Sequence, residues 1–126
     1  MLNFRQFEAG PDPFGRKFQA QFKWMQTAIS LRHSDTVDVK FLLVDEAGGR
    51  TEKTIALPQG ELPRTASQAG RAVDDAWCSR LAAMHLLYLV QTGEDMEKDL
   101  VTLRTEELER YAAELARTER SEAGAR

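Results

Sequence analysis

The stretch from Lys17 to Leu57 constrains the fold most strongly, because its apolar and polar residues alternate with a period of two. This period is typical of strands with one buried face. It is clearest over residues 18–24 and 37–43. Asp45–Gly49 is rich in turn-forming residues, so we expect the chain to reverse there into a further strand. The sequence predicts strands over about 17–25, 28–32, 36–45 and 50–57.

Two irregularities in this pattern carry information about the sheet. Apolar residues occupy even positions up to Trp24 and odd positions from Ile29. Since a one-residue slip turns a strand over, we expect a bulge or short turn around Met25–Ala28. Leu42 and Val44 make the end of the 36–45 strand apolar on both faces. This indicates a central strand, or a strand with one face covered by a partner.

Two helices are expected in the second half of the chain. Asp74 or Asp75 is a suitable N-cap, and Gly93 is a typical C-terminal residue, which together bound a helix over about 75–92. This helix is apolar around most of its circumference, so we expect it to lie buried across the sheet. Thr105 can cap a last, amphipathic helix over about 105–118.

These elements predict an α+β fold in which an antiparallel sheet of three to five strands packs on a central buried helix. A length of 126 residues suits one domain, which we place over residues 1–117. Residues 1–15 form an N-terminal arm, either a short strand or a segment that packs on a neighbour. The segment Leu100–Leu103 is a candidate edge strand, and residues 118–126 are expected to be a frayed tail.

Composition and cysteine content restrict the class of protein. With 42% apolar and 29% charged residues, the chain resembles soluble globular proteins. It contains no apolar run near the roughly 20 residues of a membrane-spanning helix, and no signal peptide is recognisable. Cys78 is the single cysteine, which excludes an internal disulfide. These features predict a cytoplasmic protein that does not bind membranes.

Charge argues against nucleic acid as a partner. Residues 1–60 carry eight basic and seven acidic side chains, and residues 61–126 carry nine basic and thirteen acidic ones. Neither half shows the basic cluster that phosphate binding requires. In topology alone, residues 17–93 resemble the latter part of a double-stranded-RNA-binding domain. That family has a basic cluster at the start of its final helix, whereas this chain has Asp74 and Asp75, so RNA binding is not predicted.

The reactive side chains form no motif of known chemistry. Cys78 and His85 lie seven positions apart on one predicted helix, a rise of ~10 Å, which is too long for a nucleophile–base hydrogen bond. His33 and His85 lack the spacing of zinc ligands, even with Asp35 nearby. The acidic run 94–99 lacks the pattern of a calcium loop. We predict no catalytic residues, no metal and no cofactor.

Apolar surfaces that one small domain would struggle to bury suggest a non-enzymatic interaction or structural module that self-associates, with a dimer favoured. The candidate contact residues are Phe4, Phe7, Leu42, Val44 and Tyr111.

The alternative interpretation is a small-ligand-binding protein, or an unrecognised enzyme, with a pocket between sheet and helix. Arg80 and His85 are the candidate polar residues of such a pocket. Trp24 and Trp77 could line it, although aromatics at strand and helix spacing are more typical of a core.

Overall fold

The structure, a computed structural model, describes residues 4–28 and 35–124. Its sheet has five strands in the order β1-β2-β3-β4-β5, and neighbours are antiparallel except for β5, which runs parallel to β4. The predicted α+β class is therefore confirmed, with one parallel edge strand that periodicity did not indicate. The strands are β1 (Gln6–Ala9), β2 (Phe18–Ala28), β3 (Thr36–Asp45), β4 (Arg50–Pro58) and β5 (Leu100–Thr102).

Three α-helices follow β4 along the chain, and β5 lies between the second and the third. The main core contains buried residues of all three helices together with one face of the sheet. Among the described residues, none of these helices is both long and apolar enough to cross a membrane. The helices are α1 (Leu62–Gln68), α2 (Asp75–Thr92) and α3 (Thr105–Gly124).

The strand predictions were accurate for β3 and β4 but not for the end of β2. Strand β2 continues to Ala28, and its register shifts between Phe22 and Trp24 instead of within 25–28. Lys23 is the extra residue of this bulge, which brings Met25 and then Thr27 onto the face that pairs with Val39 and Val37. The separate strand predicted over 28–32 falls largely within residues 29–34, which lie outside the described residues.

The N-terminal arm packs on its own chain from residue 4, where the description begins. Residues 6–9 form β1 and pair with β2, so that Phe7 lies opposite Ala20. The Phe7 ring meets the Phe41 ring edge-on, with centroids 6.0 Å apart. Phe7 is therefore part of the core beneath the sheet.

Strand β3 is the central strand, which explains why its end is apolar on both faces. Phe41 and Leu43 belong to the core shared with the helices. Leu42 and Val44 point to the opposite face, which we call the outer face of the sheet. There Leu42 lies opposite Gln21 and Glu52 and is 9% exposed.

Helix α2 begins and ends where the sequence predicts. Asp74 is the N-cap, and its Oδ1 accepts a hydrogen bond of 2.8 Å from the Trp77 amide. Gly93 terminates the helix in a left-handed conformation (φ 74°) and donates its amide to the Leu89 carbonyl. Buried side chains between these ends, such as Trp77 and Leu81, each contribute about 1.5–3 kcal/mol through their removal from water.

Helix α3 is longer than predicted. Thr105 is its first residue instead of its cap, and Glu107 accepts the amide of Arg104, as the third residue of a capping box does. Residues 118–124, which the sequence analysis assigned to a frayed tail, continue the helix. Glu119 in this extension forms ion pairs with Arg71 and Arg80, which attach it to the rest of the molecule.

Candidate functional site

A small cleft lies where α2 and α3 meet β5 and the loop that follows α2. Its volume is about 270 Å³, and we call it the His85 cleft. Helix α2 contributes an imidazole and a leucine, the loop two carboxylates, and the segment from β5 into α3 the remaining side chains. The wall residues are His85, Leu89, Glu94, Asp95, Val101, Thr102, Arg104 and Glu107.

His85 is the most deeply buried polar residue of this wall, with 2% of its surface exposed. Its Nδ1 lies 2.8 Å from Tyr111 Oη on α3, a hydrogen bond whose donor depends on the ring tautomer. One turn along α2, Tyr88 stacks on the imidazole with ring centroids 5.9 Å apart. Two aromatic rings and one hydrogen bond therefore fix the orientation of the imidazole.

The other ring nitrogen, Nε2, forms no hydrogen bond within the described part of the chain. Yet every fully buried side-chain nitrogen or oxygen described there has a hydrogen-bond partner. Nε2 must therefore remain in contact with solvent, although almost all of its residue is buried. His85 lines the cleft, and we infer that this nitrogen faces it.

Glu107 supports the imidazole from α3. Its Oε2 lies 3.9 Å from His85 Nδ1, while its Oε1 accepts from the Arg104 amide at 3.0 Å and the Arg104 side chain at 3.3 Å. Burial alone would raise the pKa of the Glu107 carboxyl, but the hydrogen bonds and charge of Arg104, together with the interaction with His85, outweigh it and lower that pKa. Glu107 is thus a carboxylate, and it places negative charge beside the ring.

Electrostatics at His85 follow from burial and from the acidic wall. Burial lowers the pKa of the imidazole, while Glu107, Glu94 and Asp95 act in the opposite direction and Arg110 adds to the lowering. The net shift is downward, so the ring is neutral at neutral pH. A neutral imidazole donates through one nitrogen and accepts through the other.

Lys53 holds the loop that forms the acidic side of the cleft. It lies on the helix-covered face of β4, opposite Phe41, and is 1% exposed. Its Nζ donates to the carbonyls of Asp95 and Lys98 at 2.8 and 2.6 Å. Asp95 has a positive φ of 54° at this point. The ammonium group therefore fixes the loop over β4 and holds Glu94 and Asp95 at the cleft.

Sequence reasoning missed Lys53, although a signal was present. Thr51, Lys53, Ile55 and Leu57 share one parity, so a lysine occupies a core position of the alternating pattern. A buried lysine needs acceptors, and here they are main-chain carbonyls that the sequence could not identify. Burial lowers the pKa of Lys53, and Glu97, Asp95 and Asp99 oppose that shift.

The structure separates the two predicted pocket residues. His85 lines the cleft, but Arg80 lies five residues earlier on α2 and so on another side of the helix. The Arg80 guanidinium is 5.8 Å from the centre of the Phe4 ring and 3.8 Å from a carboxylate oxygen of Glu119. Phe4 itself packs against the core.

The predicted contact residues have different environments. Phe7 and Tyr111 are buried at 4% and 5% exposure, so within this chain neither presents a surface to a partner. Tyr111 instead holds His85. Leu42 and Val44 lie on the outer face of the sheet with Trp24, which is 38% exposed. Self-association through Phe4, Leu42 and Val44 stays a prediction.

Cys78 lines a second cleft, of about 370 Å³, between the end of β2 and the start of α2. Cys78 is buried, and its pKa is raised to about 11 by burial, Asp75 and Asp74, so its thiol stays protonated. Within residues 4–28 and 35–124, no group of three or more histidine, cysteine or acidic side chains could hold a metal ion. His33 lies outside the described residues.

No family model, no curated protein and no solved structure matches this chain.

Proposed function

We propose that this protein binds a small ligand and that the His85 cleft is its binding site. The observation that carries this proposal is the imidazole itself, which is buried and oriented by Tyr111 while its Nε2 stays open to the cleft. A ligand that displaces water from Nε2 has to supply a hydrogen-bonding group in its place, because an unpaired buried polar atom is costly.

The surroundings of the cleft support binding. Ligand sites combine apolar walls with a few polar groups that point to one place. Here Leu89 and Val101 supply apolar surface, and His85, Glu94 and Arg104 supply hydrogen-bonding groups. Lys53 and the Glu107 capping interaction fix the loop and the start of α3, so little ordering is required when a ligand binds.

Chemical-shift mapping tests this proposal. Mixtures of small cationic, anionic and neutral compounds are added to ¹⁵N-labelled protein, and backbone amide shifts are followed to saturation. We expect one class of compound to shift the amides of Glu94, Asp95, Thr102 and Arg104 together. Saturable shifts confined to another part of the chain, or no saturable shift with any compound, would contradict the proposal.

A second proposal, independent of the first, is self-association as a homodimer through the edge of β2. Strand β1 pairs with Phe18–Gln21, and the Phe22 amide donates to the Arg5 carbonyl just before β1. Beyond Phe22, β2 has no neighbouring strand on that edge within the described residues. Unpaired edges are templates for strand addition, and identical strands can pair antiparallel about a twofold axis. Trp24 stands beside this edge on the outer face, with Lys40 Nζ 5.3 Å from the ring centroid.

Two glutamines of β2 provide a matched test of this dimer. Gln26 and Gln19 are both exposed, but Gln19 lies beside Glu8 of β1 whereas Gln26 lies on the open edge. Light scattering should give a dimer for wild type and Gln19→Lys, and a monomer for Gln26→Lys, because lysine disfavours edge pairing. A monomeric wild type, or a dimer that both variants preserve, would overturn the edge interface.

The cytoplasm is the compartment we propose. A single free cysteine, buried as Cys78 is here, is usual where disulfides do not form.

A further inference from the structure

Resting on the proposed function, we propose that the ligand of the His85 cleft is a small organic cation with a primary ammonium group. The ammonium donates to Nε2 of His85 and lies among the carboxylates of the wall.

The charge of the wall is the first argument. Three carboxylates (Glu94, Asp95 and Glu107) line the cleft against the single guanidinium of Arg104. Lys98 Nζ lies 3.2 Å from Asp95 Oδ1, and Arg104 is engaged with Glu107. Glu94 forms no such ion pair within the described residues, although the charge of Arg104 acts on it; its carboxylate accepts a hydrogen bond from the Tyr88 hydroxyl. An acid-rich wall attracts a cationic ligand and disfavours an anionic one.

The state of the imidazole is the second argument. The Glu107 carboxylate, 3.9 Å from Nδ1, stabilises a proton on that nitrogen. Nδ1 then donates to Tyr111 Oη, whose two lone pairs can accept this bond as well as the one from Arg110. Nε2 is consequently the acceptor, and the group that complements it must be a donor.

The number of hydrogen-bond donors that the ligand must offer and the volume of the cleft both favour an organic ammonium. An ammonium has three N–H donors and no acceptor, which suits an imidazole lone pair surrounded by carboxylates. In the described residues, the acidic side chains and His85 form no group that could hold a metal ion. A cleft of about 270 Å³ is at the small end for ligand sites. It admits a ligand of roughly ten non-hydrogen atoms, because one water-sized group takes about 30 Å³.

Three probes of the same length but different charge test this inference. ¹⁵N-labelled protein is titrated with propylammonium, propionate and propanol, and the amides of Glu94, Asp95 and Arg104 are followed. We expect saturable shifts with propylammonium alone, with a dissociation constant on the order of 1 mM for so small a probe.

A pair of loop variants supplies the control. Glu94 and Glu97 belong to the same loop and carry the same charge, but only Glu94 lines the cleft. Glu94→Gln should weaken propylammonium binding about fivefold, the size of one ion pair of modest strength, whereas Glu97→Gln should leave it within about twofold. Equal weakening by both variants would indicate diffuse attraction and overturn the inference.

The outcomes separate this inference from the function on which it rests. If propionate or propanol shifts the cleft amides saturably and propylammonium does not, the cation assignment falls while ligand binding at the cleft stands. If no probe and no compound of the wider mixtures shifts those amides, both proposals fall.

Discussion

At the scale of single residues, Lys53 and His85 show how this small protein accommodates buried polar groups. Each has almost no exposed surface, and each is tied to another part of the chain by hydrogen bonds. Lys53 uses two main-chain carbonyls of a loop that lies more than 40 residues away in sequence. Such groups destabilise a core when a partner is lost, so their partners can be tested by substitution.

Replacing Lys53 with methionine should destabilise the loop that contains Asp95 and Lys98. The carbonyls of Asp95 and Lys98 would lose their common donor, which we expect to reduce the free energy of unfolding by about 2 kcal/mol. Urea denaturation measures this loss, and amide exchange should become faster over residues 94–99. Lys40→Met is the matched control, since Lys40 lies on the outer face of the sheet. An equal loss in both variants would refute the role of Lys53.

Burial of His85 makes stability depend on pH. The pKa of the folded imidazole is lowered from its ordinary 6.5, so below that value the unfolded chain binds the proton more readily. The contribution of neutral His85 to the free energy of unfolding should be fully present above about pH 6.5. It should be lost as pH decreases toward the folded pKa. The carboxylates of Glu107, Glu94 and Asp95 face the ring and moderate this effect, and Arg110 strengthens it.

The measurement is a series of urea denaturations from about pH 8 to pH 5, a range in which ordinary carboxylates stay ionised. His33→Asn should retain the pH dependence and His85→Gln should reduce it. If the pH dependence of stability is unchanged in His85→Gln, it arises from the titration of another group.

At the scale of elements, the sequence predicted those helix ends that local interactions determine. Helix α2 has its predicted ends because Asp74 caps one and Gly93 terminates the other. The bulge of β2 was placed wrongly because the change of parity shows that one residue is extra without showing which. The length of α3 was underestimated because its last turns carry no apolar stripe, and the ion pairs of Glu119 join residues distant in sequence.

Adjacent aspartates test the cap of α2. Asp74→Ala removes the side-chain acceptor of the Trp77 amide and should cost about 1 kcal/mol of stability. Asp75, the first helical residue, forms no such bond, so Asp75→Ala should lose only the smaller dipole interaction. Thermal unfolding of the two variants measures the difference. The reverse order of stability would show that the cap is at Asp75.

At the scale of the whole molecule, the candidate site depends on how distant elements pack. His85 and Tyr111 are 26 residues apart on different helices, so the sequence did not predict that they form a hydrogen bond. Arg80 and His85 were both assigned to the predicted pocket, yet their spacing of five residues on α2 places them on different sides of the helix. Strand β5 pairs parallel to β4, which brings Val101 and Thr102 to the cleft. The antiparallel pattern of the first four strands did not predict this parallel pairing.

The central claim is that His85 holds its proton on Nδ1 and offers Nε2 to the cleft. It is tested most directly by a long-range ¹H–¹⁵N spectrum of the imidazole at about pH 8. The chain has two histidines, so His33→Asn leaves His85 as the only signal. We predict a protonated Nδ1, an unprotonated Nε2, and a shift of the Nε2 resonance when propylammonium is added. A proton on Nε2, or an Nε2 resonance that propylammonium does not move, would contradict the claim.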